Sequence, residues 1–159
     1  MNKLFILLIG IFALVQFTFA ASKKDIKTIL NLHNKYRKRH GSPALKWDAS
    51  IARFAQSHTN KCKFEHSRKQ GLGENIAMGQ NSWNAVVKGW YDEEKHYDYN
   101  NPGYNEKIGH FSAVVWKSTS KIGCGVTKCR NGAKLYSCNY KKPGNYEGQF
   151  KKNVLRPKK

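Results

Sequence analysis

The sequence predicts an α+β fold in which helices pack on a small sheet within one layered domain. Two observations carry this reading. Amphipathic stretches at helical spacing occupy the first part of the chain, and a hairpin signal around Asn131-Gly132 follows near its end. A length of 159 residues fits a single hydrophobic core, and neither an internal repeat nor a low-complexity segment is visible.

The first helix opens at Ser22, a good N-cap, and places Ile26, Ile29, Leu30, His33 and Tyr36 on one stripe. Gly41 and Pro43 stop it. Asp48 caps a second helix with Ile51, Phe54, Ala55 and His58 on one face, ending near Asn60. A Gly-rich, charged connection runs from Lys63 to Gly79. Ser82 then caps a third helix carrying Trp83, Val86, Val87 and Trp90. Asn100-Asn101-Pro102-Gly103 is a turn signal, so residues 97–109 read as a loop. Phe111 to Trp116 is short and apolar, and its period fits helix or strand equally. Ile122 to Lys128 and Lys134 to Tyr140 flank Asn131-Gly132 as the two arms of a hairpin.

Residues 1–20 combine Lys3, an apolar run from Leu4 to Val15 and small residues at Thr18 and Ala20. That is the pattern of a secretory signal cleaved after Ala20; Gln16 and Thr18 make the run too short for a membrane span. The expected mature domain is 21–159, with a basic tail at about 151–159. Cleavage removes only the charge of Lys3 and takes the net charge from +19 to +18. The excess is spread along the chain, with denser runs at Lys35 to His40 and Lys151 to Lys159. Export and the lack of a nucleic-acid module argue against nucleic acid and for anionic membrane or polysaccharide surfaces.

All four cysteines, Cys62, Cys124, Cys129 and Cys138, lie in the mature chain. An even count in an oxidising compartment reads as two disulfides with three connectivities open. No Cys-x-x-Cys pair favours zinc, and no Asn-x-Ser/Thr sequon invites glycosylation.

His66, Glu74, Glu93 and His110 stand beside apolar or glycine-rich sequence instead of within the charged runs. Glu93 follows Trp90 by three residues and Val86 by seven, beside the apolar stripe of the third helix. Two imidazoles and two carboxylates in one cleft suit zinc or another divalent cation, and suit equally a hydrogen-bonded network without metal.

Five ordered blocks carry a family resemblance. They are His33-Asn34-x-Tyr36-Arg37, Leu45-x-Trp47-Asp48, Gly73-Glu74-Asn75-Ile76-Ala77, Gly109 to Ser118 and Tyr136 to Tyr146. In this order and spacing, over roughly residues 25–150, the chain resembles the CAP superfamily of cysteine-rich secretory, antigen 5 and pathogenesis-related 1 proteins (the SCP domain). The resemblance implies an α-β-α sandwich whose cleft holds the tetrad His66, Glu74, Glu93 and His110, with His66 and His110 as the metal ligands of members that bind zinc. It also implies the pairing of Cys62 with Cys129 and Cys124 with Cys138, which close loops worth about 4 and about 3 kcal/mol in chain entropy. The third cysteine pair of plant members is missing, since residues 101–109 contain no cysteine.

Tyr97-x-Tyr99-x-x-x-x-Tyr104 has the aromatic spacing of a caveolin-binding-like motif, and with Asn101-Pro102-Gly103 it resembles the loop of secreted fungal sterol-binding members. Three phenols offer apolar faces and hydrogen-bonding tips to a flat ring system bearing one hydroxyl. The expected function is therefore noncovalent capture of sterol, or of fatty acid, by a secreted protein that needs no cofactor. The alternative is a defence, virulence or immune-modulating protein that recognises host or microbial surfaces. A metal-dependent hydrolase is disfavoured: no Gly-x-Ser-x-Gly elbow or His-Glu-x-x-His helix is present, the implied disulfides leave no thiol nucleophile, and two histidines fall short of the three ligands of catalytic zinc.

Overall fold

The computed structural model describes residues 21–158; the expected signal segment at 1–20 lies outside them. Helix α1 spans Lys23–Arg39 and begins where the Ser22 hydroxyl oxygen accepts the Asp25 N–H at 3.0 Å. Helix α2, Ala49–Thr59, is capped by Asp48, whose carboxylate accepts the Ser50 and Ile51 N–H groups. The Ser50 hydroxyl, which donates to the same carboxylate at 2.6 Å, and then the Ile51 N–H hold the Asp48 carboxyl well below the usual range. Helix α3, Trp83–Asp92, is capped by Ser82.

Strands β1 (Lys46–Trp47), β2 (Gly73–Met78), β3 (Lys121–Lys128) and β4 (Lys134–Lys141) form one sheet in the order β1-β3-β4-β2. β1 runs parallel to β3, and the other pairings are antiparallel. The β3–β4 hairpin turns at Asn131-Gly132, with Gly132 at φ 83°, the left-handed region that glycine enters without strain. Within it Cys124 lies directly opposite Cys138, and these two are joined by a disulfide; the second joins Cys62, after α2, to Cys129 at the turn.

The sheet separates two helical layers. On one face α2 lies against β3 and β4 so closely that a Cβ at Gly123 would overlap the Ala52 backbone, and one at Gly125 the Gln56 backbone. Alanine at either position would push the helix off the sheet. On the other face α1, α3 and α4 (Gly109–Val115) enclose the main aromatic core. Trp83 meets the Tyr136 ring edge-on at 4.8 Å, tying α3 to β4, and His33 ties α1 to Tyr140 of the same strand. A short helix α5, Phe150–Asn153, closes this side.

Four expectations are corrected. Residues 73–78, expected within a loop, form β2, because Asn75, Ile76 and Ala77 are buried in succession and the strand carries no alternation to read. Glu93 lies just past α3 and opens a 3₁₀ turn over Glu93–His96. Arg37 and His40, expected in a solvated basic run, are fully buried. The Arg37 guanidinium donates to the carbonyls of Pro43, Val114, Trp116 and Thr119 at 2.7–3.0 Å, so backbone dipoles replace a carboxylate partner. The C-terminal segment docks into the fold: Asn153 and Val154 are buried, His40 Nδ1 donates to the Leu155 carbonyl at 2.6 Å, and the Lys158 N–H donates to the Arg39 carbonyl at 2.7 Å. The ambiguous segment after Gly109 is helical, as α4.

Candidate functional site

The four tetrad residues form two imidazole–carboxylate pairs anchored on different elements. His66 Nδ1 lies 3.0 Å from Glu74 Oε1 at the start of edge strand β2. The same carboxylate accepts the Ser67 N–H at 2.8 Å and, from β4, the Asn139 amide at 3.1 Å and the Ser137 hydroxyl at 3.4 Å. Burial alone would raise the Glu74 carboxyl, but hydrogen bonds from Ser67, Asn139 and His66 outweigh it and hold the group below its ordinary value.

The second pair is tighter. His110 Nδ1 lies 2.6 Å from Glu93 Oε1, while Glu93 Oε2 accepts the N–H groups of His110 and Phe111 at 2.9 and 3.1 Å. Ile108, at the N-cap of α4, supplies no side-chain bond, so Glu93 reaches across from the 3₁₀ turn to satisfy the first turn of that helix. The His110 ring stacks on Trp90 with centroids 6.1 Å apart.

Strand alternation links the pairs. Glu74 and Asn75 are neighbours on β2 and so point to opposite faces. Glu74 meets His66, whereas the Asn75 amide donates to the His110 carbonyl at 3.1 Å and to the Tyr140 hydroxyl oxygen at 3.2 Å. Tyr140 in turn donates to His33 Nε2 at 3.0 Å, and His33 Nδ1–H donates to the Ile29 carbonyl at 2.8 Å. Burial lowers His33 to about 4, so the imidazole at the end of this chain is neutral at physiological pH.

Carboxylates only accept hydrogen bonds, so in His66 and His110 the Nδ1–H faces the carboxylate and Nε2 is the nitrogen left over. A histidine oriented by a carboxylate in this way is a suitable metal ligand. Among the described residues, however, no group of three or more His, Cys, Asp and Glu side chains is placed to hold a metal ion. Each imidazole offers a cation one nitrogen, and even the two together fall short of the three ligands typical of catalytic zinc.

The three loop tyrosines occupy three different environments. Tyr97 is 6% exposed and packs among Tyr99, Phe111 and Phe150. Its hydroxyl has no partner among the described residues, and burial pushes its pKa up to about 12. Tyr99 is half-buried, donates to Glu94 Oε1 at 2.9 Å and carries the Arg156 guanidinium 5.2 Å above its ring. Tyr104 is 52% exposed and leans over Gly109 and Phe150. They therefore do not form one open rim of phenols. Tyr97 is floor, Tyr99 a pinned wall and Tyr104 a cover.

Sequence reasoning missed Asn75, Ser137 and Asn139 as supports of the tetrad, and Phe150 and Trp116 as the apolar bed beneath the loop. The period-2 pattern of Tyr136-Ser137-Cys138-Asn139-Tyr140 held a signal for the first group: aromatics and cysteine face one layer, hydroxyl and amide the other. The quoted blocks also lock to one another, since Asn145 accepts from the Ser112 hydroxyl at 2.6 Å and donates to the Gly109 carbonyl at 2.9 Å.

Comparison with known proteins agrees with this architecture. The chain is 38% identical over 152 residues to the human Golgi-associated plant pathogenesis-related protein 1, covering 88% of this chain and 98% of that one. It is 36% identical over 126 residues to pathogenesis-related protein 1 of Arabidopsis thaliana, covering 76% and 78%. Protein PRY2 of Saccharomyces cerevisiae is 38% identical over 133 residues, which make up 80% of this chain and 40% of that longer protein. Among solved structures, venom allergen-like protein 4 of Schistosoma mansoni superposes with a TM-score of 0.70 at 26% identity, covering 87% of this chain and 97% of that one. The profile of the Cysteine-rich secretory protein family (CAP) matches residues 30–140, and with the fold, the relatives and the ordered blocks in agreement, the chain belongs to that family.

Proposed function

We propose that this chain is a secreted lipid-binding protein that captures sterol noncovalently beneath the 97–109 loop. One observation carries the reading: the buried Tyr97 hydroxyl has no partner among the described residues, although it sits in an aromatic bed covered by the exposed Tyr104. A buried hydroxyl left without a hydrogen bond costs about 1–3 kcal/mol. Displacement of Tyr104 would open the bed of Phe150 and Tyr97 to a flat apolar ring system, and the single hydroxyl of a sterol would pair with the Tyr97 O–H. No bond is made or broken, so the function needs neither nucleophile nor metal. Among the described residues no helix is long and apolar enough to cross a membrane. The basic surface assists contact with anionic membranes, from which sterol would be taken.

The test is to secrete the protein from lipid-replete cells, identify copurifying lipids by mass spectrometry, and titrate the delipidated protein with tritiated cholesterol. Saturable binding, weakened about tenfold by Tyr104→Ala through lost apolar contact, is expected. A protein that emerges empty and does not bind cholesterol defeats the reading.

Surface recognition in defence or virulence is the second reading, favoured by the net charge of +18 left after export and by the pathogenesis-related name of the Arabidopsis relative. Ionic strength separates the two. Attraction to anionic surfaces falls steeply with salt, whereas sterol held in an apolar bed is insensitive to it.

A further inference from the structure

The tip of the β3–β4 hairpin carries chemistry that neither the cleft nor the aromatic bed uses. Of the asparagines in the sequence only Asn131 is followed by glycine, and both residues of the pair are exposed. Cys129, Arg130, Asn131 and Gly132 form the turn: the Gly132 N–H donates to the Cys129 carbonyl at 2.9 Å, and the Cys129 N–H donates to the Ala133 carbonyl at 2.8 Å. The side chain joins in, since Asn131 Oδ1 accepts the Ala133 N–H at 3.1 Å. We propose that Asn131 is a modification site, where spontaneous deamidation replaces a neutral amide by a carboxylate at a rate set by this turn.

The reaction needs only water. The Gly132 nitrogen loses its proton to solvent and attacks Asn131 Cγ; the Cγ–Nδ2 bond breaks, and the amino group takes a proton from solvent and leaves as ammonia. Water then opens the cyclic imide at either carbonyl, giving aspartate or isoaspartate. Three features of the turn admit this chemistry. A residue without a side chain leaves the attacking nitrogen uncrowded, and a Cβ built at Gly132 would meet nothing within 4 Å, so the turn is open there. The Ala133 N–H donates to the oxygen on which negative charge develops as the tetrahedral intermediate forms. Lys128 and Arg130, exposed on either side of Cys129, favour the amide anion and the carboxylate product alike.

One feature restrains it. The Gly132 N–H must leave the Cys129 carbonyl before it can ionise, and Cys129 is itself fixed to the chain just after α2 by its disulfide with Cys62. A single hydrogen bond of this kind slows the step by about fivefold. The turn therefore both aligns the electrophile and holds back the nucleophile. Its two products differ in what they do to the hairpin. Aspartate keeps an oxygen for the Ala133 N–H, whereas isoaspartate routes the backbone through the former side chain and no longer matches the paired bonds at Cys129. Either product lowers the net charge by one. This site does not depend on the sterol reading, and neither stands or falls with the other.

The experiment holds the secreted protein at neutral pH, once folded and once unfolded in guanidinium chloride with both disulfides intact, and maps its peptides by mass spectrometry over time. In the folded protein Asn131 should convert before any other asparagine, and about fivefold more slowly than in the unfolded chain. Ion-exchange chromatography should show the matching loss of one positive charge. That drift should vanish in Asn131→Gln, whose longer side chain does not close the same ring and whose exposed position leaves the fold intact. Another asparagine converting first, equal rates in the folded and unfolded chains, or a charge drift that persists in Asn131→Gln overturns the proposal.

Discussion

The polar cleft and the aromatic bed share the segment from Glu93 to Phe111, yet they differ in how they hold their principal polar groups. In the cleft both carboxylates are saturated, Glu93 by three donors and Glu74 by four, and the Ser67 Oγ beside Glu74 is the one buried side-chain polar atom there without a partner among the described residues. In the bed the Tyr97 O–H and the Trp116 N–H are buried without partners among the described residues. A saturated site has little to gain from a ligand and much to lose from mutation; an unsatisfied one is the reverse. The cleft thus acts chiefly as a staple joining β2, the 3₁₀ turn and α4. The bed is where binding a hydroxyl would relieve a standing cost.

Mutation should expose that difference first in the cleft. Glu93→Ala removes the acceptor of two α4 N–H groups and of His110 Nδ1, and should cost about 4 kcal/mol in urea denaturation. If it costs no more than an ordinary surface substitution, the cleft is not a staple.

Acid should act next, through the buried end of the cleft network. His33 binds its proton at about 4 in the folded protein against an ordinary 6.5, so the unfolded chain protonates first as pH falls. Stability is then full above pH 6.5, declines by about 3 kcal/mol towards pH 4 and levels off below. His33→Gln should flatten this slope. Glu74 acts in a lower window, because its folded carboxyl lies below the ordinary 4.5. Its contribution is present above that value and is lost as pH falls through the folded one, so Glu74→Gln should alter the acid limb only, by a smaller amount. A single transition shared by both variants would contradict two separate origins.

The smallest effect on stability belongs to the bed. Tyr97→Phe deletes a buried hydroxyl with no partner among the described residues and should raise the unfolding free energy by about 1 kcal/mol, the cost that hydroxyl imposes. A large loss would reveal a hydrogen bond that the described residues do not show.

Much of this was legible in the sequence, for local reasons. Ser22, Asp48 and Ser82 announce α1, α2 and α3 because caps and 3.6-residue stripes are short-range signals, and Asn131-Gly132 announces the hairpin for the same reason. β2 was hidden because successive buried residues erase the period of two. The burial of Arg37 and His40 was hidden because their partners, the Val114, Trp116 and Leu155 carbonyls, lie more than seventy residues away. At the candidate site, the four cleft residues are singled out by the company they keep in sequence, whereas their hydrogen-bonding supports Asn75, Ser137 and Asn139 required the strand register. The tyrosine spacing located the loop, but only tertiary packing on Phe150 divides its tyrosines into floor, wall and cover.

The most direct test pairs the hydroxyl of the protein with that of the ligand. Equilibrium affinities for cholesterol and its 3-deoxy analogue are measured with the wild-type protein and with Tyr97→Phe. The wild type should prefer cholesterol by about tenfold, the value of one relieved buried hydroxyl, and Tyr97→Phe should bind both sterols alike. Equal discrimination by the two proteins, or no sterol binding by either, would contradict capture at Tyr97.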